Sequence, residues 1–175
     1  MKFLHSLLIA LFALLSFTST MATAHGPTPQ KVDEKIIIES SVDNVWKVIS
    51  DFTHIDQWHP LVTSVDIIDE QTRVIHIAEK GTLTDSLDEI NAETHLLSYR
   101  LLEEDTAVFP VSFYTITLTV NPVESGSELL WQGRFYRADT GNFPPENLND
   151  DAAVNAMTDF AQQGMQSLKT LLEKK

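Results

Sequence analysis

The sequence predicts an α+β domain in which a curved antiparallel sheet of seven strands wraps a long C-terminal helix. Three observations predict this class. Apolar and polar residues alternate along much of the middle of the chain, short turns separate these runs, and a long amphipathic stretch ends the chain. The length of 175 residues suits one domain, and no shift in composition divides it.

Residues 1–24 are predicted to be a signal peptide. Lys2 supplies a positive start, residues 6–17 carry no charge, and the segment ends in small residues up to Ala24. A retained membrane anchor is the alternative, but a spanning helix needs about 20 apolar residues and this run is shorter. Cleavage after Ala24 predicts a periplasmic protein without a stable membrane anchor. It leaves residues 25–31 as a flexible lead-in and 32–175 as the domain.

The domain is predicted to begin with a strand and a short helix. A β-branched run within residues 32–39 is typical of a strand. Ser41 is predicted to cap the helix that follows. Apolar residues recur there at helical spacing, namely Val42, Val45, Trp46, Ile49 and Phe52. Residues 53–60 are predicted to end this helix and to add one more turn.

Six further strands are predicted after Pro60, separated by Gly-, Ser- and acid-containing turns. Their predicted ranges are 62–69, 73–79, 82–90, 96–103, 111–121 and 128–138. In the last strand Trp131 and Arg134 fall on opposite faces, and we expect Trp131 to face the core. A loop at 139–149 then leads to the final helix, capped by Asn149 or Asp150. The apolar stripe of that helix contains Val154, Met157, Phe160, Ala161, Met165, Leu168, Leu171 and Leu172.

The composition excludes several classes of function. The chain has 12 basic and 25 acidic residues and a net charge of −13, which becomes −14 when Lys2 leaves with the signal peptide. Nucleic acid is an unsuitable partner, because phosphate binding needs a basic face. A basic periplasmic protein is a suitable one. The absence of cysteine excludes disulfides, thiolate metal sites and thiol nucleophiles.

Large aromatic and methionine side chains are the candidates for a ligand-binding cavity between the sheet and the final helix, because they make adaptable pocket walls. The candidates are Trp58, Tyr99, Phe113, Tyr114, Trp131, Phe135, Met157, Phe160 and Met165. For each of them, simple core packing is the alternative. The hypothesis is that such a cavity holds a small lipid-like or aromatic molecule.

The histidines do not form a recognised metal motif. His54 and His59 flank Trp58, but the favoured interpretation is a hydrated turn in which Trp58 and Pro60 fix the helix against the sheet. His25, the predicted mature N-terminus, could chelate copper if another histidine came close. Neither possibility is favoured, so the sequence predicts no metal and no cofactor.

Catalytic residues are not identifiable from the sequence. His76 and His95 could act as bases if they were buried beside a carboxylate. Four charged residues on predicted strands could form a polar end of the cavity: Glu79, Asp85, Asp88 and Arg134. We find no nucleophile-elbow motif and no glycine-rich phosphate loop. A binding protein is therefore favoured over an enzyme.

The order of elements, together with several residues after the first strand, resembles the START-like (SRPBCC) helix-grip superfamily. The residues that carry the resemblance are Val45, Trp46, Ile49, Asp51, Phe52, Trp58, Pro60, Gly81, Leu97, Ser98, Tyr99 and Trp131. It covers about residues 32–173, and the most similar branch is the polyketide cyclase/dehydrase and lipid-transport group. The resemblance implies a helix-grip fold with a hydrophobic cavity.

A narrower resemblance rests on the signal peptide and the string AHGPTPQKV. In these features the chain is similar to the MxaD family, accessory proteins of periplasmic methanol oxidation. This implies a non-catalytic role beside an alcohol dehydrogenase or its cytochrome. The alternatives are a carrier of a lipid-like or aromatic molecule, and a cyclase- or dehydratase-like enzyme.

Overall fold

The structure, a computed structural model, describes residues 27–174. The predicted signal peptide and His25 lie outside the described residues. Within residues 27–174, no helix is both long enough and apolar enough to span a bilayer.

Seven strands form one antiparallel sheet in the described chain. They are β1 (Gln30–Ile38), β2 (Val62–Ile67), β3 (Thr72–Ile77), β4 (Gly81–Asn91), β5 (Leu96–Glu103), β6 (Val111–Val123) and β7 (Gly126–Arg137). Their order across the sheet is β1-β7-β6-β5-β4-β3-β2. The first two strands of the chain are thus the two edges, and the predicted α+β class and its strands are confirmed to within two residues at each end.

Two α-helices accompany the sheet, and a side-chain cap starts each of them. The backbone N–H of Asn44 donates to Ser41 Oγ (3.3 Å) at the start of α1 (Val42–Ile49). Asn149 Oδ1 accepts from the N–H of Ala152 (2.9 Å) at the start of α2 (Asp150–Glu173). Both predicted caps are confirmed.

The predicted first helix is shorter than expected and is followed by the extra turn. Helix α1 ends at Ile49, and a 3₁₀ segment covers Phe52–Gln57. The carboxylate of Asp51 accepts from the backbone N–H of Thr53 (3.2 Å), which caps a new start instead of continuing α1. Phe52 therefore belongs to the 3₁₀ segment.

The core lies between the concave face of the sheet and helix α2. Alternate residues of β6 are buried there, and the intervening ones are less buried, as the alternation predicts. Trp131 is completely buried, whereas the side chain of Arg134 is half exposed, so the predicted phase of β7 is correct. The buried residues of α2 are Ala153, Met157, Phe160, Ala161, Gly164, Met165 and Leu168.

The last turn of α2 covers the free edge of β1. Lys169 Nζ donates to the backbone oxygen of Ile37 (2.7 Å), and the N–H of Glu39 donates to Glu173 Oε1 (2.7 Å). Lys169 and Glu173 are themselves paired at 2.6 Å. Backbone groups that a second chain could otherwise pair with are thereby occupied.

Gly164 permits a close approach between α2 and the segment that follows the 3₁₀ turn. A Cβ atom at this position would lie 2.5 Å from His59 Cδ2, 2.8 Å from His59 Nε2 and 3.2 Å from the ring of Trp58. Both rings are buried, so neither has free space to retreat into. The absence of a side chain at residue 164 lets Trp58 and His59 lie directly on the helix.

Replacing Gly164 with alanine tests this contact. In an open helix the change stabilises by about 1 kcal/mol, because alanine has the higher helix propensity. Here we expect the free energy of unfolding to fall by about 1–3 kcal/mol, as in other overpacked cores. Urea denaturation followed by circular dichroism measures the sign.

Gln163→Ala is the matched control, because Gln163 is the exposed neighbour on the same helix. We expect that change to alter the free energy of unfolding by less than about 0.5 kcal/mol. A Gly164→Ala variant as stable as the parent protein would show that the close approach imposes no constraint.

Candidate functional site

A small cavity lies inside the core, between the sheet and helix α2. Its volume is about 10 Å³. The residues that line it are Ile75, Asp85, Tyr99, Phe109, Tyr114, Ile116, Met157 and Phe160. Most of these are apolar, but three polar side chains reach the same wall from β4, β5 and β6. The volume is about that of a single water molecule.

The polar wall is built on a buried ion pair between neighbouring strands. Arg73 of β3 and Asp85 of β4 are direct partners in the antiparallel register, and both point inward. Asp85 Oδ2 accepts from Arg73 Nε (3.1 Å) and from Nη2 (2.9 Å). The Arg73 side chain is 2% exposed and that of Asp85 is fully buried. The pair is therefore shielded from solvent and electrically neutral.

The guanidinium of Arg73 also lies between two aromatic rings. Its central carbon lies 4.0 Å from the ring centroid of Phe52 and 4.7 Å from that of Tyr99. Its Nη1 atom donates to the backbone oxygen of Phe52 (2.5 Å). Arg73 thus fixes the start of the 3₁₀ segment against the sheet.

Two tyrosines complete the wall, and they differ in their hydrogen bonds. Tyr114 donates its hydroxyl to Asp85 Oδ1 (2.5 Å). The Tyr99 hydroxyl, by contrast, makes no hydrogen bond within the described part of the chain. Burial raises the pKa of both tyrosines, and it raises that of Asp85 against the opposing effects of Arg73 and Tyr114.

Packing alone gives no reason for this cluster. Transfer of two charges out of water costs several kcal/mol per ion, and apolar side chains of similar volume would fill the same space without that cost. A polar wall facing an internal cavity is instead the usual arrangement of a site that orients a ligand. The cluster and the cavity are therefore the candidate site.

The nine cavity candidates do not all line the cavity. Four line the cavity: Tyr99, Tyr114, Met157 and Phe160. Three are buried in the surrounding core without lining it: Trp58, Trp131 and Phe135.

Met165 and Phe113, the remaining two candidates, do not line the cavity. Met165 is buried in the core. Met165 borders a separate outer groove. Phe113 is on the outer face of β6 and is 39% exposed, so its placement in the cavity wall is wrong. Its position follows from strand alternation, since its neighbour Tyr114 points inward.

Several lining residues were not among the predicted candidates. They are Ile75, Phe109 and Ile116, and behind them the ion-pair partner Arg73. The sequence predicts Asp85 only as one of four charged residues that could form a polar end of the cavity. The sequence does contain a signal for Arg73. It lies two and four residues before Ile75 and Ile77, so strand alternation places all three side chains on the same, buried face.

The other charged and histidine candidates do not reach the interior. Glu79 and Asp88 are exposed, and Arg134 pairs with Asp33 on the surface (2.7 Å). His76 bonds to Asp66 (2.8 Å) with 37% of its side chain exposed, and His95 lies in a turn with its ring against Trp46.

The two histidines around Trp58 have different environments. His54 is half exposed and hydrogen-bonded to Asp51 (2.9 Å), and this bond raises its pKa. His59 is 1% exposed, so the predicted hydrated turn is wrong for this residue. Trp58 does pack inward, against Trp131. No group of three potential metal ligands occurs within residues 27–174.

His59 links the strand side of the fold to helix α2. Its Nε2 donates to the backbone oxygen of Phe160 (3.0 Å), and its ring stacks on the Phe160 ring with 3.8 Å between centroids. Its Nδ1 accepts from the N–H of Leu61 (3.3 Å). Burial, with a smaller contribution from the charge of Arg73, lowers the pKa of His59 to about 4. The ring is therefore neutral at pH 7.

An outer groove of about 820 Å³, separate from the cavity, lies between α2, β1 and the 3₁₀ region. Strand β1 borders it through Glu34, Lys35 and Ile36, and the 3₁₀ region borders it through Gln57 and Pro60. Glutamine, serine and threonine side chains of α2 form much of its floor. The groove is open, its exposed lining is more apolar than polar, and it holds no buried polar cluster comparable to the one at Asp85 in the described chain.

The buried neutral His59 predicts a loss of stability in mild acid. Protonation favours the unfolded chain, because its histidine pKa is near 6.5 and that of the buried ring is about 4. The contribution of the neutral His59 ring to the free energy of unfolding is therefore complete above pH 6.5 and declines as the pH falls toward 4. Between pH 7 and pH 5 the expected loss from this residue is about 2 kcal/mol. Urea denaturation at both pH values measures it.

His59→Gln is the control, because the amide keeps a donor for Phe160 and does not titrate. Whatever its absolute stability, we expect this variant to lose about 2 kcal/mol less than the parent between pH 7 and pH 5. Equal losses in the two proteins would show that His59 does not titrate on unfolding.

Comparison with solved structures supports the helix-grip fold. Protein XoxI from Bacillus cereus is 22% identical, with 83% of this chain and 95% of that chain covered and a TM-score of 0.68. The Zhui aromatase/cyclase from a Streptomyces species is 17% identical, with coverages of 83% and 94% and a TM-score of 0.64. A START superfamily protein from Mycobacterium smegmatis is 12% identical, with coverages of 82% and 97% and a TM-score of 0.65.

No curated protein matches the sequence. The sequence does match a family model, described as polyketide cyclase / dehydrase and lipid transport, over residues 29–173. That range contains all seven strands and both helices, as well as every residue of the cavity wall. The chain therefore belongs to the polyketide cyclase / dehydrase and lipid transport family, within the START-like helix-grip superfamily.

Proposed function

We propose that the protein binds a small hydrophobic molecule between the sheet and helix α2, and that it acts by binding and not by catalysis. The observation that carries the proposal is the internal cavity at a buried polar wall. The family fold supports hydrophobic ligand binding in general. This cavity, beside Asp85 and under Met157 and Phe160, supports the place in the core that we propose for such a ligand.

A ligand larger than a water molecule requires the cavity to enlarge, because its volume is about 10 Å³. The wall on the sheet side is fixed by the Arg73–Asp85 pair, whereas the opposite wall consists of Met157 and Phe160 on α2 and Phe109 in the loop before β6. Methionine has three rotatable side-chain bonds and adapts readily to new shapes. We therefore place the movement on the α2 side.

The enzyme alternative has less support from the geometry. A cyclase or dehydratase needs an acid or base free to exchange a proton with its substrate. Asp85 is the carboxylate at the cavity, and both of its oxygens accept bonds from Arg73 or Tyr114. The name aromatase/cyclase of one structural neighbour keeps catalysis as the alternative function.

Native mass spectrometry of the protein exported by its own signal peptide tests the binding proposal. We expect a polypeptide that begins at His25 and binds N-phenyl-1-naphthylamine, a neutral apolar probe, with a micromolar Kd. Phe160→Trp should weaken probe binding at least tenfold, because the larger ring fills the cavity. Fluorescence titration gives the Kd values.

Phe143→Trp is the matched control, since Phe143 is 96% exposed in the loop before α2. The same substitution there should leave the Kd unchanged. If the parent protein carries no extracted species and binds no probe, the ligand-binding proposal fails. A polypeptide that retains residues 1–24 would contradict export.

A partner-docking role in methanol oxidation is the second candidate function. Its support is the acidic chain, together with the exposed Phe143 beside Pro144 and Pro145. Arg137 holds this loop through bonds to the backbone oxygens of Asp139 (2.7 Å) and Gly141 (2.9 Å). An exposed aromatic side chain on an acidic surface suits a basic protein that offers an apolar pocket.

We expect docking to a periplasmic quinoprotein alcohol dehydrogenase or its cytochrome to weaken at least tenfold when NaCl is raised from 20 to 300 mM. Phe143→Ser should weaken binding further. Ile68→Ser, which removes a 63% exposed apolar side chain from the β2–β3 turn, should not. Isothermal titration calorimetry gives the affinities, and the absence of binding at low salt would exclude this role.

A further inference from the structure

We infer that the interior site selects a neutral ligand with an oxygen acceptor, such as a ketone, and that the Tyr99 hydroxyl donates a hydrogen bond to that oxygen. The inference rests on the proposed binding function and adds the chemical class of the ligand. It follows from the hydrogen bonds that the cavity wall does and does not make.

The Tyr99 hydroxyl is a donor without an acceptor in the described chain. It is 2% exposed as a residue, it borders the cavity, and its hydroxyl proton has no acceptor among residues 27–174. A close approach of Arg73 cannot satisfy it, because a guanidinium donates and never accepts. A buried hydroxyl without an acceptor costs about 1–3 kcal/mol, so a bound molecule that accepts from Tyr99 gains that free energy.

The other polar groups of the wall are already paired. Tyr114 donates to Asp85 Oδ1, and Asp85 Oδ2 accepts both bonds from Arg73. What the described wall still offers to a ligand is thus the unpaired proton donor of the Tyr99 hydroxyl. Burial raises the pKa of Tyr99, so the hydroxyl keeps its proton at neutral pH.

The charge of the wall excludes ionic ligands. Arg73 and Asp85 neutralise each other, and the rest of the cavity lining is apolar or uncharged. A carboxylate or an ammonium group would lose its hydration without gaining a counter-ion, and this is costly in a dry interior. A neutral molecule pays no such penalty, and a carbonyl oxygen uses the Tyr99 donor.

Three naphthalenes of nearly the same shape test this selection. 2-Acetylnaphthalene carries an acceptor, 2-ethylnaphthalene lacks it, and 2-naphthoate carries a charge. We expect the ketone to bind at least tenfold more tightly than the hydrocarbon, and the carboxylate to bind most weakly. Competition against N-phenyl-1-naphthylamine gives the three Kd values.

Tyr99→Phe should abolish the preference for the ketone while leaving the Kd of the hydrocarbon within about twofold. Tyr136→Phe, at a partly exposed position on the outer face of β7, is the matched control and should keep the preference. Equal binding of ketone and hydrocarbon to the parent protein, or a preference that survives Tyr99→Phe, overturns the inference. Failure of all three compounds to bind would instead count against the proposed function itself.

Thermal unfolding separates a ligand-binding role of Tyr99 from a structural one. Tyr99→Phe removes a hydroxyl that has no partner in the described chain, so the Tm of the ligand-free protein should stay the same or rise. Tyr114→Phe removes a bond to Asp85, so its Tm should fall. A fall in Tm for Tyr99→Phe as large as that for Tyr114→Phe would assign Tyr99 to the structure and not to the ligand.

Discussion

The guanidinium of Arg73 is the interaction on which the arrangement of the interior depends. It binds Asp85 on the next strand, holds the backbone of Phe52 in the 3₁₀ segment, and lies against the ring of Tyr99 on β5. Through Asp85 it also reaches Tyr114 on β6. One cation thus links strands β3, β4, β5 and β6 to the 3₁₀ segment. Because the charges are buried, loss of either partner leaves the other uncompensated in the core.

The sheet wall of the interior is set by directional bonds, whereas the helix wall is set mainly by packing, with one hydrogen bond from His59 to the Phe160 backbone. The sheet wall is fixed by hydrogen bonds that satisfy Arg73 and Asp85. On the helix wall, Phe160 meets Phe109 and Trp131 through ring edges, contacts that are not directional to the same degree. Helix α2 is held where Gly164 lets His59 bond to it. The proposed ligand would then be accommodated by side-chain movement on the helix wall, while the sheet wall keeps its geometry.

Alternation and helical spacing were enough to predict the sheet, both caps and the inward face of β7, because each depends on neighbours close in sequence. The prediction that Phe113 lines the cavity is wrong. The same alternation puts Phe113 on the face opposite Tyr114, and its aromatic character alone does not bring it inward. The pairing of Arg73 with Asp85 depends on the register between β3 and β4. The burial of His59 depends on Gly164, which lies in another element 105 residues later. Local patterns do not contain such contacts.

The covering of β1 by the last turn of α2 also sets the order in which the fold can be completed. Strand β1 pairs with β7, about a hundred residues later, and its other edge is occupied by Lys169 and Glu173 near the end of the chain. Strand β1 therefore waits for residues that lie 132 and 134 positions beyond the groups they cover. Such long-range pairing slows folding. Until residue 173 is available, the nascent protein has an open edge that invites pairing with other chains.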